Sequence, residues 1–333
     1  MSAANSTHAP QEAIFAVYML LAEPIRFTMR QAMEAAQKAN PEFEGWQIPT
    51  PDDWLDTSAP LIAMASDVFT GKTGDAEDRH LTLSLSVLPN GIGDVDVERL
   101  IQMNPGFRDA RQALEHTESY LHVAILAGKG QTDYADRFEQ ARLLAQFSAI
   151  FAKLPAARAV WFTPADVLMA PEHWIEAAES ATAATFPIVR WMRFMPEMIT
   201  VDGVSQMRVL TDGMSYFDGA EVSFAPAPVS QGDALAGTYQ AVWLLLNGSP
   251  FRDGDTFGVE GDAQRLRVRF HPKGRDGASR DTWVIFHPDS PVDDLEQYGA
   301  RPRPPAPEGT DNTLPADPGF LGRLLRSRRA PRQ

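Results

Sequence analysis

A hydroxyl and two carboxylates stand close together in one stretch of the chain, at Thr211, Asp212 and Glu221. Converging in a cleft, such groups bind a polar ligand, and carboxylates so placed can serve a hydrolase. The same residues suit a structural role. Asp212-Gly213 reads as a turn in which glycine takes the positive φ, and the Thr211 hydroxyl with the Glu221 carboxylate would then lock it. Glu221 is expected near the start of a strand, either facing a cleft between two units or closing that turn.

Other chemistry is harder to assemble. Gly71-Lys72-Thr73 has the ending of a phosphate-binding loop, but Ser66 stands where its first glycine is required, so an exposed turn is expected. Asp94, Asp96 and Glu98 alternate after Asn90-Gly-Ile-Gly93. On one strand face two of them would hold Mg²⁺; in a turn, Asp94 or Asp96 caps the helix that follows. Asp253, Asp255 and Gly258 begin like a calcium loop. Phe257 and Gln264 then occupy positions where the ion needs oxygen ligands, which leaves a turn leading into a strand. None of the seven histidines shows helical metal spacing, and His271 and His287 fall at opposite ends of an expected hairpin. Gly203-Val-Ser205 lacks the second glycine of a serine nucleophile elbow, since Met207 takes its place. Phe162 with Arg190 and Arg193 offers material for a groove. No catalytic residue, metal or cofactor is assigned.

The 333 residues carry a formal net charge of −14, with 44% hydrophobic and 22% charged residues and no cysteine. An acidic body repels nucleic acid and anionic membrane. Disulfides, thiolate metal sites and cysteine nucleophiles are excluded. Neither residues 14–22 nor 235–246 are long enough to span a membrane, and the first run lacks a basic flank. A cytoplasmic protein with no membrane span is expected.

The elements that would hold these residues follow from periodicity. Residues 14–22 are nearly all apolar and read as a buried central strand, 25–39 as a helix bearing Phe27, Met33 and Ala36 on one side. Residues 81–88 alternate with period two, as a half-buried strand does. Short helices over 97–103 and 107–116, a buried strand over 120–127, a long amphipathic helix over 134–153 and a strand over 159–162 complete a first unit. Its order resembles a ferredoxin-like unit with an insertion between the second and third strands. In the second unit, 172–184 and 235–247 read as helices. Residues 188–194, 207–211, 220–224, 266–271 and 281–287 read as strands, the last two as a hairpin. The fold expected is α+β: two packed units with mixed or antiparallel sheets covered by helices, over 12–165 and 166–287, with a Pro-rich, Arg-ended tail over 288–333. Residues 301–333 hold seven arginines against three acids.

The chain resembles the bacterial domain of unknown function 4261 family. The resemblance runs through Leu20-Leu21-Ala22-Glu23-Pro24, Tyr120-Leu-His-Val-Ala-Ile-Leu126, Ala159-Val-Trp-Phe162, Thr211-Asp-Gly-Met214, Phe217 with Glu221, and Asp253-Gly-Asp255-Thr256. It implies no established activity. Similar proteins stand near toxin, immunity or secretion genes, so it implies an interaction role. The reading that results is a non-enzymatic module with a protein partner, an immunity or secretion-associated adaptor, whose tail offers Phe320, Leu321, Arg323, Leu324, Leu325 and Arg326 to that partner. The alternative is a hydrolase or small-ligand-binding protein with a carboxylate site at Asp212 and Glu221.

Overall fold

The apolar run near the N-terminus is a strand buried on both faces: β1 (Phe15–Leu21) has six of seven residues inside. It belongs to a computed structural model that describes residues 15–46, 69–72, 80–88, 95–127, 134–182, 185–258, 265–274 and 280–290. After β1 come α1 (Met29–Ala39), β2 (Phe69–Lys72), β3 (His80–Leu88), α2 (Val97–Met103), α3 (Ala110–Glu115) and β4 (Ser119–Ala127). They are followed by α4 (Tyr134–Ala152), β5 (Ala157–Phe162), β6 (Val167–Met169), α5 (Pro171–Ser180) and α6 (Ile188–Trp191). The chain forms two compact units, 1–193 with 212–219, and 194–211 with 220–333.

In the first unit six strands run in the order β2-β3-β4-β1-β5-β6, each pair antiparallel. β1 lies between β4 and β5, with β3 beyond β4, which is the ferredoxin-like arrangement. The α2–α3 pair is the insertion between its second and third strands, while β2 and β6 extend the sheet at both edges.

Local chemistry sets the helix ends. Helix α1 starts at Met29, four residues later than the apolar pattern suggests, because Thr28 and Gln31 form a reciprocal capping box. Helix α4 departs from the amphipathic expectation. From Gln140 to Ala152 only Gln146 and Ile150 are less than fully buried. Arg142 is tolerated there by ion pairs to Glu42 and Glu139. Burial draws its guanidinium pKa down, but the hydrogen bonds it donates to both carboxylates outweigh that and hold it above its ordinary value.

The second sheet uses β7 (Arg193–Val201), β8 (Val204–Asp212), β9 (Glu221–Ala227), β10 (Thr256–Phe257), β11 (Leu266–His271) and β12 (Thr282–Phe286). Their order is β10-β11-β12-β9-β8-β7. β9 and β12 are parallel, and the connection between them includes the helix α8 (Gln231–Leu246). That helix lies close on the sheet at Gly237, where a Cβ would stand 2.9 Å from Leu266 and 3.0 Å from Phe224. A short helix α7 (Ser215–Asp218) between β8 and β9 groups with the first unit.

Three expectations change. Residues 188–194 are the helix α6 followed by the start of β7, since Pro187 opens a helical turn there before the strand sets in. The compact units divide after Arg193 rather than at 165, because β6, α5 and α6 pack with the first sheet and its helices. Gly71 and Lys72 belong to the edge strand β2 rather than to a turn. The hairpin of β11 and β12 is as expected, with His271 opposite Thr282 and His287 beyond the other end of the ladder.

Candidate functional site

The structure brings two of the three carboxylate-site residues together. The β8–β9 ladder reaches Leu210 opposite Ser223, and there the Thr211 side chain takes over from the backbone. Its hydroxyl accepts the Val222 N–H at 2.8 Å. Its single proton lies between Glu221 Oε2 at 2.8 Å and the Val222 carbonyl at 3.0 Å. Glu221 is buried and receives Arg280 Nη1 at 2.9 Å. Thr211 and Glu221 thus close the end of the second sheet.

Asp212 takes another direction. It pairs with Arg193, and both residues group with the first unit. Gly213 has φ +105°, and a Cβ there would meet Ala165 Cβ at 2.6 Å. The expected glycine turn is present, and a close approach adds to the demand for glycine.

A different feature of the first unit has the shape of a binding site. An open groove of about 810 Å³ lies between α3 and the N-terminus of α5, beside Ala22 and the first residues of β5. Its floor is small or apolar, from Ala22, Phe107, Ala113, Ala157 and Pro171. Three of those are alanines, and their short side chains leave the space. The rim carries Asp109, Glu115, Glu118 and Glu172, all exposed. None of the four forms a salt bridge with another described residue, although Glu115 lies within the field of Arg111. Against them stand Arg158, whose Nη1 donates to the Pro155 carbonyl at 2.8 Å, and His116. His116 Nδ1 lies 2.8 Å from the Gln112 carbonyl, so that nitrogen carries the proton. A groove with an apolar floor and a mainly acidic rim favours a cationic, partly apolar guest.

The remaining candidates have structural duties. Asp96 caps α2 by accepting the Arg99 N–H at 2.9 Å, and Glu98 forms a two-pronged pair with Arg111 at 2.7 Å. Asp255 accepts the Arg252 N–H at 2.8 Å and Asp253 the Phe270 N–H at 3.0 Å, which makes a turn into β10. Among the described residues no group of three or more histidines and acids could hold a metal ion. Phe162 is fully buried, Arg193 is 9% exposed, and Arg190 reaches Glu176 at 3.3 Å; none of the three lines the groove beside α3. Ser66, Asp94, Gln264 and the tail residues Phe320, Leu321, Arg323, Leu324, Leu325 and Arg326 lie outside the described residues.

The groove residues escaped sequence reasoning because they come from five separate elements. One signal was present: Asp109, Gln112 and His116, spaced by three and four, are all exposed along the short helix α3 and the residues that cap it. Among the described residues no helix is long and apolar enough to cross a membrane. No family model matches the chain, and neither a curated protein nor a solved structure matches it.

Proposed function

We propose that the chain is a non-enzymatic protein-interaction module whose first unit receives a basic, partly apolar segment of a partner protein. The observation that carries this reading is the groove beside α3, with its alanine-lined floor and four exposed rim carboxylates. Leucine and arginine side chains answer that surface together: the apolar parts fill the floor and the guanidinium groups reach the rim. The formal net charge of −14 adds long-range attraction for such a partner and repulsion for nucleic acid. We place the module in the cytoplasm, and the resemblance to the domain of unknown function 4261 family favours an immunity or secretion-associated adaptor. The Arg-Leu tail is a second partner contact in this reading, argued from its composition.

The alternative, a hydrolase or small-ligand site at Asp212 and Glu221, gains nothing from the groove, which neither residue lines. Titration of the full chain with a short peptide of alternating leucine and arginine tests the proposal. Saturable binding is expected, weakened at least about tenfold by Glu115→Lys with Glu118→Lys. Equal binding of the variant, or equal binding of a leucine–glutamate peptide, would remove the groove from the account.

A further inference from the structure

One face of the first sheet carries polar side chains that the groove does not use. It is the face away from Phe15 and Phe162. Strand register places Ser86, His122, Tyr18 and Trp161 side by side on β3, β4, β1 and β5. The Tyr18 ring lies 4.7 Å from that of His122, at 35°, and 5.3 Å from that of Trp161, at 28°. These separations are close to the spacing between strands, about 4.8 Å. The rings therefore stand in a row, Tyr18 stacked on Trp161 and tilted against His122. All four side chains are half-buried. The α2–α3 insertion covers the neighbouring Leu20, Ala159 and Leu168, leaving Tyr18 and Trp161 at the margin of that cover.

The row stops abruptly at one end. The next place beyond His122 is over Ser86, whose side chain ends at its hydroxyl. Ser84 stands two residues away on the same face of β3, about 7 Å along the strand. A flat ring in that place would lie against the imidazole and above two hydroxyls.

The hydrogen-bonding capacity of this row is unspent. Among the described residues Tyr18, His122, Ser84 and Ser86 make no side-chain hydrogen bond, and Trp161 Nε1 is buried without a partner there. Elsewhere in the same unit the buried Trp174 Nε1 donates to Ser148 Oγ at 2.9 Å. Burial lowers the His122 pKa and raises that of Tyr18, so both rings stay neutral near pH 7. An uncharged row with free donors and acceptors selects an uncharged ligand with the same on its edge.

We propose that the His122–Ser86 end of this row binds a planar, uncharged heterocycle of the purine type, stacked on the imidazole and hydrogen-bonded by Ser84 and Ser86. Aromatic side chains hold bases by their faces, and serine hydroxyls both donate and accept along a base edge. The acidic chain disfavours phosphate-bearing forms, so the free base or nucleoside is the ligand.

Nuclear magnetic resonance of the full chain labelled at histidine tests this, with adenosine and guanosine as probes and uridine and adenosine monophosphate as comparators. His122→Gln assigns the signal. A saturable shift of the His122 resonance is expected with the purine nucleosides, stronger than with either comparator. Ser86→Val fills the place beside the imidazole with a residue that strands favour. It should weaken binding at least about tenfold while the melting temperature stays unchanged. The proposal is overturned if neither purine nucleoside shifts His122 in a saturable way, or if uridine or the monophosphate binds as well. Binding unaffected by Ser86→Val in a folded chain overturns it too.

Discussion

Replacing Thr211 by valine changes almost nothing in shape and removes one hydroxyl. That hydroxyl accepts the Val222 N–H at 2.8 Å and reaches Glu221 Oε2 at 2.8 Å, all within the buried end of the β8–β9 ladder. An unsatisfied buried N–H costs about 1–3 kcal/mol, and a lost hydrogen bond to a carboxylate about 1.5–3 kcal/mol. Glu221 keeps Arg280, whose side chain is 42% exposed, so the carboxylate is not left isolated. Thr211→Val should therefore lose about 3 kcal/mol. For a unit of this size that lowers the melting temperature by roughly 6–12 °C. Scanning calorimetry reads the shift, and Thr211→Ser, which keeps the hydroxyl, should recover most of it. The opposite pattern would refute the reasoning. A valine variant melting with the parent shows that the hydroxyl is no lock, and functional sites are where stability is spared in this way.

Three further outcomes follow from the geometry. Gly213→Ala imposes a left-handed backbone on alanine and pushes its Cβ to 2.6 Å from Ala165; about 3 kcal/mol should be lost, read by urea denaturation. Arg142→Met removes the tie from α4 to Glu42, and because that carboxylate is 48% exposed the cost should be only about 2 kcal/mol, read by the same method. Burial holds the His122 pKa below its ordinary value. As pH falls below about 6.5 the unfolded chain gains a proton that the folded chain does not, so stability declines by up to about 1.4 kcal/mol per pH unit until the folded value is reached. His122→Gln should flatten that share of the acid limb when urea midpoints are compared between neutral and acid pH.

Much of the first sheet was legible in the residues. The continuous apolar run at β1 and the period-two alternation at β3 reflect burial on two faces and on one face, and the structure has both. Residues 188–194 misled because a short apolar run fits helix and strand alike, and Pro187 decided for a helical turn at its start. The unit boundary was hidden because it rests on which sheet α5 and α6 cover, a tertiary choice that composition does not record. At the candidate sites the sequence showed neighbours along the chain: it brought Thr211 and Glu221 to attention, which do meet. It gave no sign that Asp109, Glu118, Arg158 and Glu172 would ring one groove. Nor did it show His122 standing between Tyr18 and Ser86, because strand register makes those neighbours.

The central claim, that the groove beside α3 receives a basic segment of a partner, is tested most directly by cross-linking from within it. A photoactivatable residue placed at Gln112, on the exposed face of α3, would be activated in host cells and the attached peptide sequenced. The account predicts one dominant partner, joined through a segment rich in arginine or lysine with leucine-like neighbours. It also predicts loss of that product in the Glu115→Lys, Glu118→Lys chain. A product joined through an acidic or neutral segment, or one that survives the charge reversal, would contradict it.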